Sequence, residues 1–227
     1  MLERLTPDIH RWTARHPEWH PRYEWAQEVA CFAVEAGDTL VLVDPQAPAE
    51  AEPFWAELDR LVEASGAARI AVLITIHYHA RSTTDVHRRY RDRLDVSVHG
   101  HPTVRERLAR DVPLESIEPG GPLPAGAEAF AIGSPRRREM PILLPSAAAL
   151  CFGDAVVGVG GELRVWQQSG TSTRRDWHER RFLPTLRALL DLDFENVLVT
   201  HGPPVLGNGR EALRRGLDAP PWSMRSA

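Results

Sequence analysis

The 227 residues carry 27 basic and 31 acidic side chains for a formal charge of −4, with 43% hydrophobic and 26% charged residues. That is an ordinary globular balance, long enough for one domain with a sizeable core, and it offers no global attraction to nucleic acid or anionic lipid. No run of eighteen apolar residues is present, which argues against a membrane span, and the opening "MLERLTPDIHRW" lacks the apolar stretch of a signal peptide, so a cytoplasmic location is expected.

Every basic residue is arginine, and with 19 prolines this reads as a compositional bias, so no single arginine cluster stands out as an anion site. Cys31 and Cys151 each sit inside an apolar segment. Two isolated thiols make neither a disulfide framework nor a thiolate zinc cluster and read as small core residues.

In chain order, residues 1–28 are rich in His, Trp and Pro ("RHPEWHPRYEW") and read as an irregular arm packed on a single domain spanning 29–227. "EVACFAVEAGDTLVLVDP" predicts a hairpin turning at Gly37-Asp38. A helix follows in "AEAEPFWAELDRLVEASG", with Phe54, Leu58, Leu61 and Val62 on one face and Gly66 past its end. "ARIAVLITI" does not alternate, so it predicts a strand buried on both faces. Ser82 and Asp85 have capping-box spacing, which starts a helix at Ser82 before the strand "DVSV". Strand, helix and strand at this spacing make a parallel βαβ unit.

The second half gives strands in "AEAFAIG", "MPILLP", "ALCFGDAVVGV" and "ELRVW", the middle pair turning at Pro145-Ser146. A helix ("DWHERRFLPTLRALLDL"), a strand ("NVLVT") and a last helix ("GREALRRGL") close the chain. Hairpins followed by βα units in both halves predict two mixed sheets facing each other, with helices outside: a four-layer αββα sandwich.

Asp44 in "VLVDP", His77 and His79 in "IHYH", Asp154 in "CFGDA" and His201 in "VLVTHGPP" each terminate a predicted strand. Strand ends are where α/β domains assemble their sites. In this order the chain, from about Val29 to about Leu217, resembles the metallo-β-lactamase superfamily. The resemblance implies the αββα sandwich and a metal-dependent hydrolase ancestry. It also implies a motif H-x-H-x-D-H followed by a mid-chain His, a bridging Asp and a final His, which together hold two zinc ions.

Carried across by position, His77 and His79 match the first two imidazoles, Asp154 the bridging carboxylate and His201 the last imidazole. Arg81 stands in place of the motif's Asp and Ser82 in place of its second-metal His, while Ser134 is nearest to the missing mid-chain His. A second metal would keep only Asp154 and His201 and would meet a permanent cation, so a two-metal mechanism is not expected. The residues support one zinc or other divalent ion on His77, His79 and Asp154, with His201 orienting water, acting as general acid or serving as a fourth ligand. Asp44 is assigned to supporting a ligand or its turn.

The alternative is metal-free: Arg81 pairs with Asp154 in the second cation's place and Ser82 is simply a helix N-cap. The sequence tilts slightly toward this arrangement. Two functions follow: a hydrolase of ester, thioester or lactam bonds using at most one metal, or a non-catalytic small-molecule binding or interaction module. Neither needs a nucleic-acid or membrane partner, and the oligomeric state stays open. Glu139, the one acid in the loop that lost its His, is the outlying candidate to replace that ligand, and Arg136, Arg137 and Arg138 in that loop read as a solvated run, or as binding a substrate carboxylate or phosphate if the loop borders the pocket. His101 is expected to cap the Pro102 turn, and His99 to approach the same edge as His77. His87 reads as a solvated or packing residue, and His10, His16, His20 and His178 as surface or loop residues.

Overall fold

The central strands are buried on both faces, and successive side chains point to opposite sides, which sorts them into separate apolar interfaces. A computed structural model describes residues 1–22, 25–134, 137–167 and 172–222, the last segment without the side chains of 172–174. The first sheet runs in sequence order: β1 (Glu3–Arg4), β2 (Ile9–Arg15), β3 (Glu28–Ala36), β4 (Thr39–Val43), β5 (Arg69–Ile74), β6 (Asp95–Gly100) and β7 (Glu115–Ser116). The second contains β8 (Glu128–Ala129), β9 (Ile142–Leu144), β10 (Ala149–Phe152) and β13 (Asn196–Val199), ordered β13-β10-β9-β8. A separate ribbon pairs β11 (Val156–Val159) with β12 (Glu162–Val165).

Ala30, Phe32 and Val34 of β3, Val41 and Val43 of β4, and Ala71 and Leu73 of β5 point between the sheets, against Ile142, Leu144, Cys151 and Leu198. The intervening Cys31, Ala33, Leu40, Leu42, Ile70 and Val72 face Phe54, Leu58 and Val62 of α1 (Ala51–Ser65) and Val86 of α2 (Thr83–Tyr90). On the far side, Leu150, Phe152, Val197 and Val199 meet the helical run formed by α3 (Ser172–Trp177), a π-helical turn (His178–Phe182) and α4 (Leu183–Ala188) together with α5 (Gly209–Asp218), through Phe182, Leu186 and Leu213. Three apolar interfaces separate four layers, the expected αββα sandwich.

Several expectations hold locally. Gly66 closes α1 in the left-handed conformation (φ 65°), and β5-α2-β6 is a parallel unit. Others need correction. Ile9–Arg15, expected as irregular arm, is a strand paired along its length with β3. Its Trp12 is buried against Phe54, and its indole N–H donates to the Gln46 carbonyl at 2.8 Å. "ALCFGDAVVGV" is two strands in two sheets, broken at Gly153-Asp154. No helix among the described residues is long and apolar enough to cross a membrane.

Candidate metal centre

β4 and β5 are parallel, with Val43 beside Leu73, so their C-terminal ends deliver Asp44 and Thr75 side by side. One Asp44 carboxylate oxygen accepts the Thr75 N–H (2.8 Å); the other accepts the Thr75 hydroxyl (2.5 Å) and the Nδ1–H of His79 (2.8 Å). In the second sheet β10 and β13 are also parallel, Phe152 beside Val199, and their ends deliver Asp154 and His201. The two edges are tied by Ala30 N–H to the Thr200 carbonyl (2.7 Å) and Met140 N–H to the Thr75 carbonyl (2.8 Å). Gly153 lets the loops close, since a Cβ there would lie 2.6 Å from Thr75 Oγ1.

The outcome is a convergence on one atom. His79 Nε2 and His201 Nε2 each lie 3.3 Å from the same Asp154 Oδ1, and ligand atoms of these three residues all lie within 4.8 Å of one another. A separation of 3.3 Å is the edge of a tetrahedron whose bonds are about 2.0 Å long, the length of a zinc–nitrogen bond. Asp44 claims the His79 Nδ1 proton, so the neutral ring presents its Nε2 lone pair to the cluster. The donor set of two imidazoles and one carboxylate therefore fits one divalent cation with a position left for water.

The electrostatics agree with tight coupling. Burial and Arg81 push the His79 pKa down, but Asp44 and Asp154 outweigh them and the net shift is upward. Burial raises Asp154, yet His79 and His201 hold it well below the usual carboxylate range. If Asp44 orients His79, Asp44→Asn weakens zinc binding by about 10–100-fold, read by competition against a chromophoric chelator. Unchanged affinity would show that this hydrogen bond orients nothing.

The other candidates are placed differently from expectation. His77 lines the same cavity but, among the described residues, is not a member of the His79–Asp154–His201 cluster. His77 Nδ1 is buried without a hydrogen-bond partner among the described residues. Arg81 makes no ion pair with Asp154 among the described residues. Its Nη1 instead donates to the Asp44 carbonyl at 3.0 Å and lies 3.8 Å from Cys31 Sγ. The cause is its backbone, at φ 37° and ψ −122°, which a non-glycine residue adopts only under strain.

Ser82 does occupy the N-cap of α2, but without a side-chain cap. Its hydroxyl instead accepts the Ala47 N–H at 2.9 Å and pins the loop after β4. Ser134 is exposed and outside the cavity lining. Arg136 lies outside the described residues. His99 is buried beside Ser97 Oγ (2.9 Å) and, among the described residues, joins no cluster with the site. His101 accepts the Thr103 N–H at 3.2 Å, capping its turn as expected. His178, expected near the surface, is buried, as is His87, and His10 pairs with Glu35 at 2.8 Å.

Two contributions escaped the sequence reading. Glu139, buried, accepts the N–H groups of Gly153 (3.1 Å), Asp154 (3.1 Å) and Ala155 (3.0 Å) on a single oxygen, while Arg137 binds the other. It holds the loop carrying Asp154 and is not itself a member of the ligand cluster. The N-terminal segment also supplies cavity wall: His16 packs on Trp25, and Trp25 lies 5.5 Å from the His201 ring. The cavity is about 940 Å3 in volume, with His79, Asp154, His201 and Arg81 in its wall.

No family model matches the sequence, and no curated protein matches it. Solved structures do. A metallo-β-lactamase from Pontibacter korlensis superposes with a TM-score of 0.64 at 11% identity, covering 97% of this chain and 99% of its own. One from Erythrobacter litoralis gives 0.63 at 16% identity, covering 96% of this chain and 94% of its own. A metallo-β-lactamase family protein from Thermus thermophilus gives 0.59 at 16% identity, covering 93% and 79%. The chain has the metallo-β-lactamase fold. Within that fold, four strand-end residues of this sequence, Asp44, His79, Asp154 and His201, form one connected cluster.

Proposed function

We propose that this chain is a hydrolase working with one divalent cation held by His79, Asp154 and His201. The observation that supports it is the pair of imidazole nitrogens, each 3.3 Å from the same Asp154 oxygen, in the wall of a cavity. Arg81 limits the site to one ion, because its guanidinium stands in the same cavity wall as the cluster and repels a second cation. When bound, the cation supplies Lewis acidity and a water acidified to a pKa of about 7.

The protein's own groups complete the arrangement. Asp44 keeps the His79 proton on Nδ1, and Glu139 fixes the Asp154 loop. Trp25 shields His201. With His201 in the ligand cluster, proton transfer falls to other rings. Burial, followed by nearby arginine charge, holds both His16 and His77 below the ordinary imidazole range, so they are neutral at pH 7 and able to accept a proton. The substrate is a small molecule with an ester, thioester or lactam bond, the classes implied by the fold resemblance.

The test is turnover of chromogenic substrates of these three classes by zinc-, manganese- or iron-loaded protein, with chelator-treated protein and His201→Ala alongside. Activity lost in both controls is expected. Activity that survives both, or loaded protein that turns over none of the three, overturns the assignment.

One observation favours the metal-free module as a second reading: His79 lies between two carboxylates, a pairing that satisfies its charged form without an ion. The two readings differ in pH dependence. His79 is raised, so in metal-free protein its stabilisation is full below the unfolded imidazole pKa of about 6.5 and is lost as pH rises through the folded value. Asp154 is lowered, so its contribution is present above the unfolded value of about 3.9 and is lost as pH falls through the folded one. Metal-free protein should therefore be most stable in mildly acidic solution. A bound cation requires neutral His79, so zinc should raise the thermal midpoint more at pH 8 than at pH 6. A zinc effect absent at both pH values supports the module.

A further inference from the structure

The net charge of −4 makes the charge of the cavity informative. Among the described residues, its wall carries Arg81, Arg107, Arg137 and Arg138 against Glu18 and Asp154. Two of these arginines are committed: Arg137 to Glu139, and Arg81 to the Asp44 carbonyl. Arg107 and Arg138 are not. Neither has an ion pair or hydrogen bond among the described residues, whereas Arg88, Arg89, Arg187 and Arg214 each lie within 3 Å of a carboxylate (2.7, 2.6, 2.9 and 2.6 Å). Arg107 and Arg138 both stand in the cavity wall that also carries His77. Both are exposed and free of a carboxylate partner among the described residues, so an oxyanion entering the cavity can take up their donors. Arg107 also lies 5.4 Å over the Tyr78 ring, and that aromatic, 49% exposed, stands as an apolar wall beside it.

We propose that Arg107 and Arg138 form a subsite for the carboxylate or phosphate of a small organic substrate, with Tyr78 as its apolar wall. The subsite names the substrate class for the cavity and rests on that cavity being the working site. A concave volume of about 940 Å3 suits a small molecule, and arginine's planar fork suits either oxyanion. The scissile bond would then lie toward His79 and the acidic group toward Arg107.

The test is calorimetric titration of the full chain, with and without chelator, using phenyl phosphate, phenylacetate and neutral phenylacetamide. At least one anion should bind about tenfold more tightly than the neutral probe, and the preferred anion separates the phosphate source from the carboxylate source. Arg107→Gln/Arg138→Gln should abolish that preference while leaving the thermal midpoint and bound zinc unchanged. Equal binding of all three probes, no binding of either anion at millimolar concentration, or a preference surviving in the double variant overturns the proposal. An anion preference persisting in chelated protein with no metal affinity retains the subsite and rejects the metal reading. Stoichiometric zinc without any anion preference does the reverse.

Discussion

Glu139→Ala should lower the thermal midpoint by roughly 6–20 °C and abolish zinc binding. One Glu139 oxygen accepts three consecutive backbone N–H groups, and Arg137 binds the other, at a site closed to solvent. Alanine leaves three buried donors and one guanidinium without their acceptor, a loss of about 3–5 kcal/mol for a broken buried charge pair. For a chain of this size each kcal/mol moves the midpoint about 2–4 °C. Glu139→Gln separates the two functions, because its amide oxygen still accepts the loop N–H groups while the pairing with Arg137 is weakened. It should fold with a smaller loss and retain zinc. A Glu139→Ala protein with wild-type stability and zinc affinity would show that the Asp154 loop holds itself.

Gly202→Ala should be nearly as damaging, for a different reason. Gly202 follows His201 at φ 85°, and a methyl there would land on the Gly158 carbonyl oxygen. The same approach is held by the Gly158 N–H donating to the His201 carbonyl at 2.8 Å. Left-handed strain of about 1–2 kcal/mol adds to an overpacking cost of about 1–3 kcal/mol. Because the clash pushes on the residue joined to His201, zinc affinity should fall along with stability. Gly160→Ala is the control: Gly160 also has positive φ (59°) but meets nothing within 4 Å. It should lose only about 1–2 kcal/mol and keep its zinc affinity. Equal effects of the two substitutions would mean that contact with Gly158 does not position His201.

Continuous apolar runs and the order of hairpins and βα units were enough to read the layers from the sequence, since a strand's two faces must each find an apolar partner. The residues after the strands, Asp44, His79, Asp154 and His201, were legible for a related reason: parallel strands share an edge, so whatever follows them meets. Orientation was not legible. Arg81 was expected to reach Asp154, but its positive φ turns the guanidinium toward Asp44 and Cys31, and no periodic pattern announces such a backbone in a non-glycine residue. His77 and His79, two residues apart, were read as equals. A 3₁₀ turn at His77–Ala80 separates them, burying His79 against Asp44 and leaving His77 on the cavity wall.

The loop-holding role of Glu139 was not legible because the N–H groups it accepts lie 14 to 16 residues away, on backbone. Its place directly before the apolar run "MPILL" was the available signal, since an acid abutting a buried strand must find donors. Strand β2 was hidden because His10 and Arg11 interrupt its apolar positions. Each has an acidic neighbour, Glu35 for the first and Glu3 for the second.

The central claim is that His79, Asp154 and His201 make one cation site and Arg81 prevents a second. Elemental analysis of protein reconstituted with zinc and freed of excess, wild type beside His201→Ala, tests it most directly. One zinc per chain in the wild type and almost none in the variant is the expected result. Two zinc ions per chain, or none with a midpoint indifferent to chelator, would contradict it.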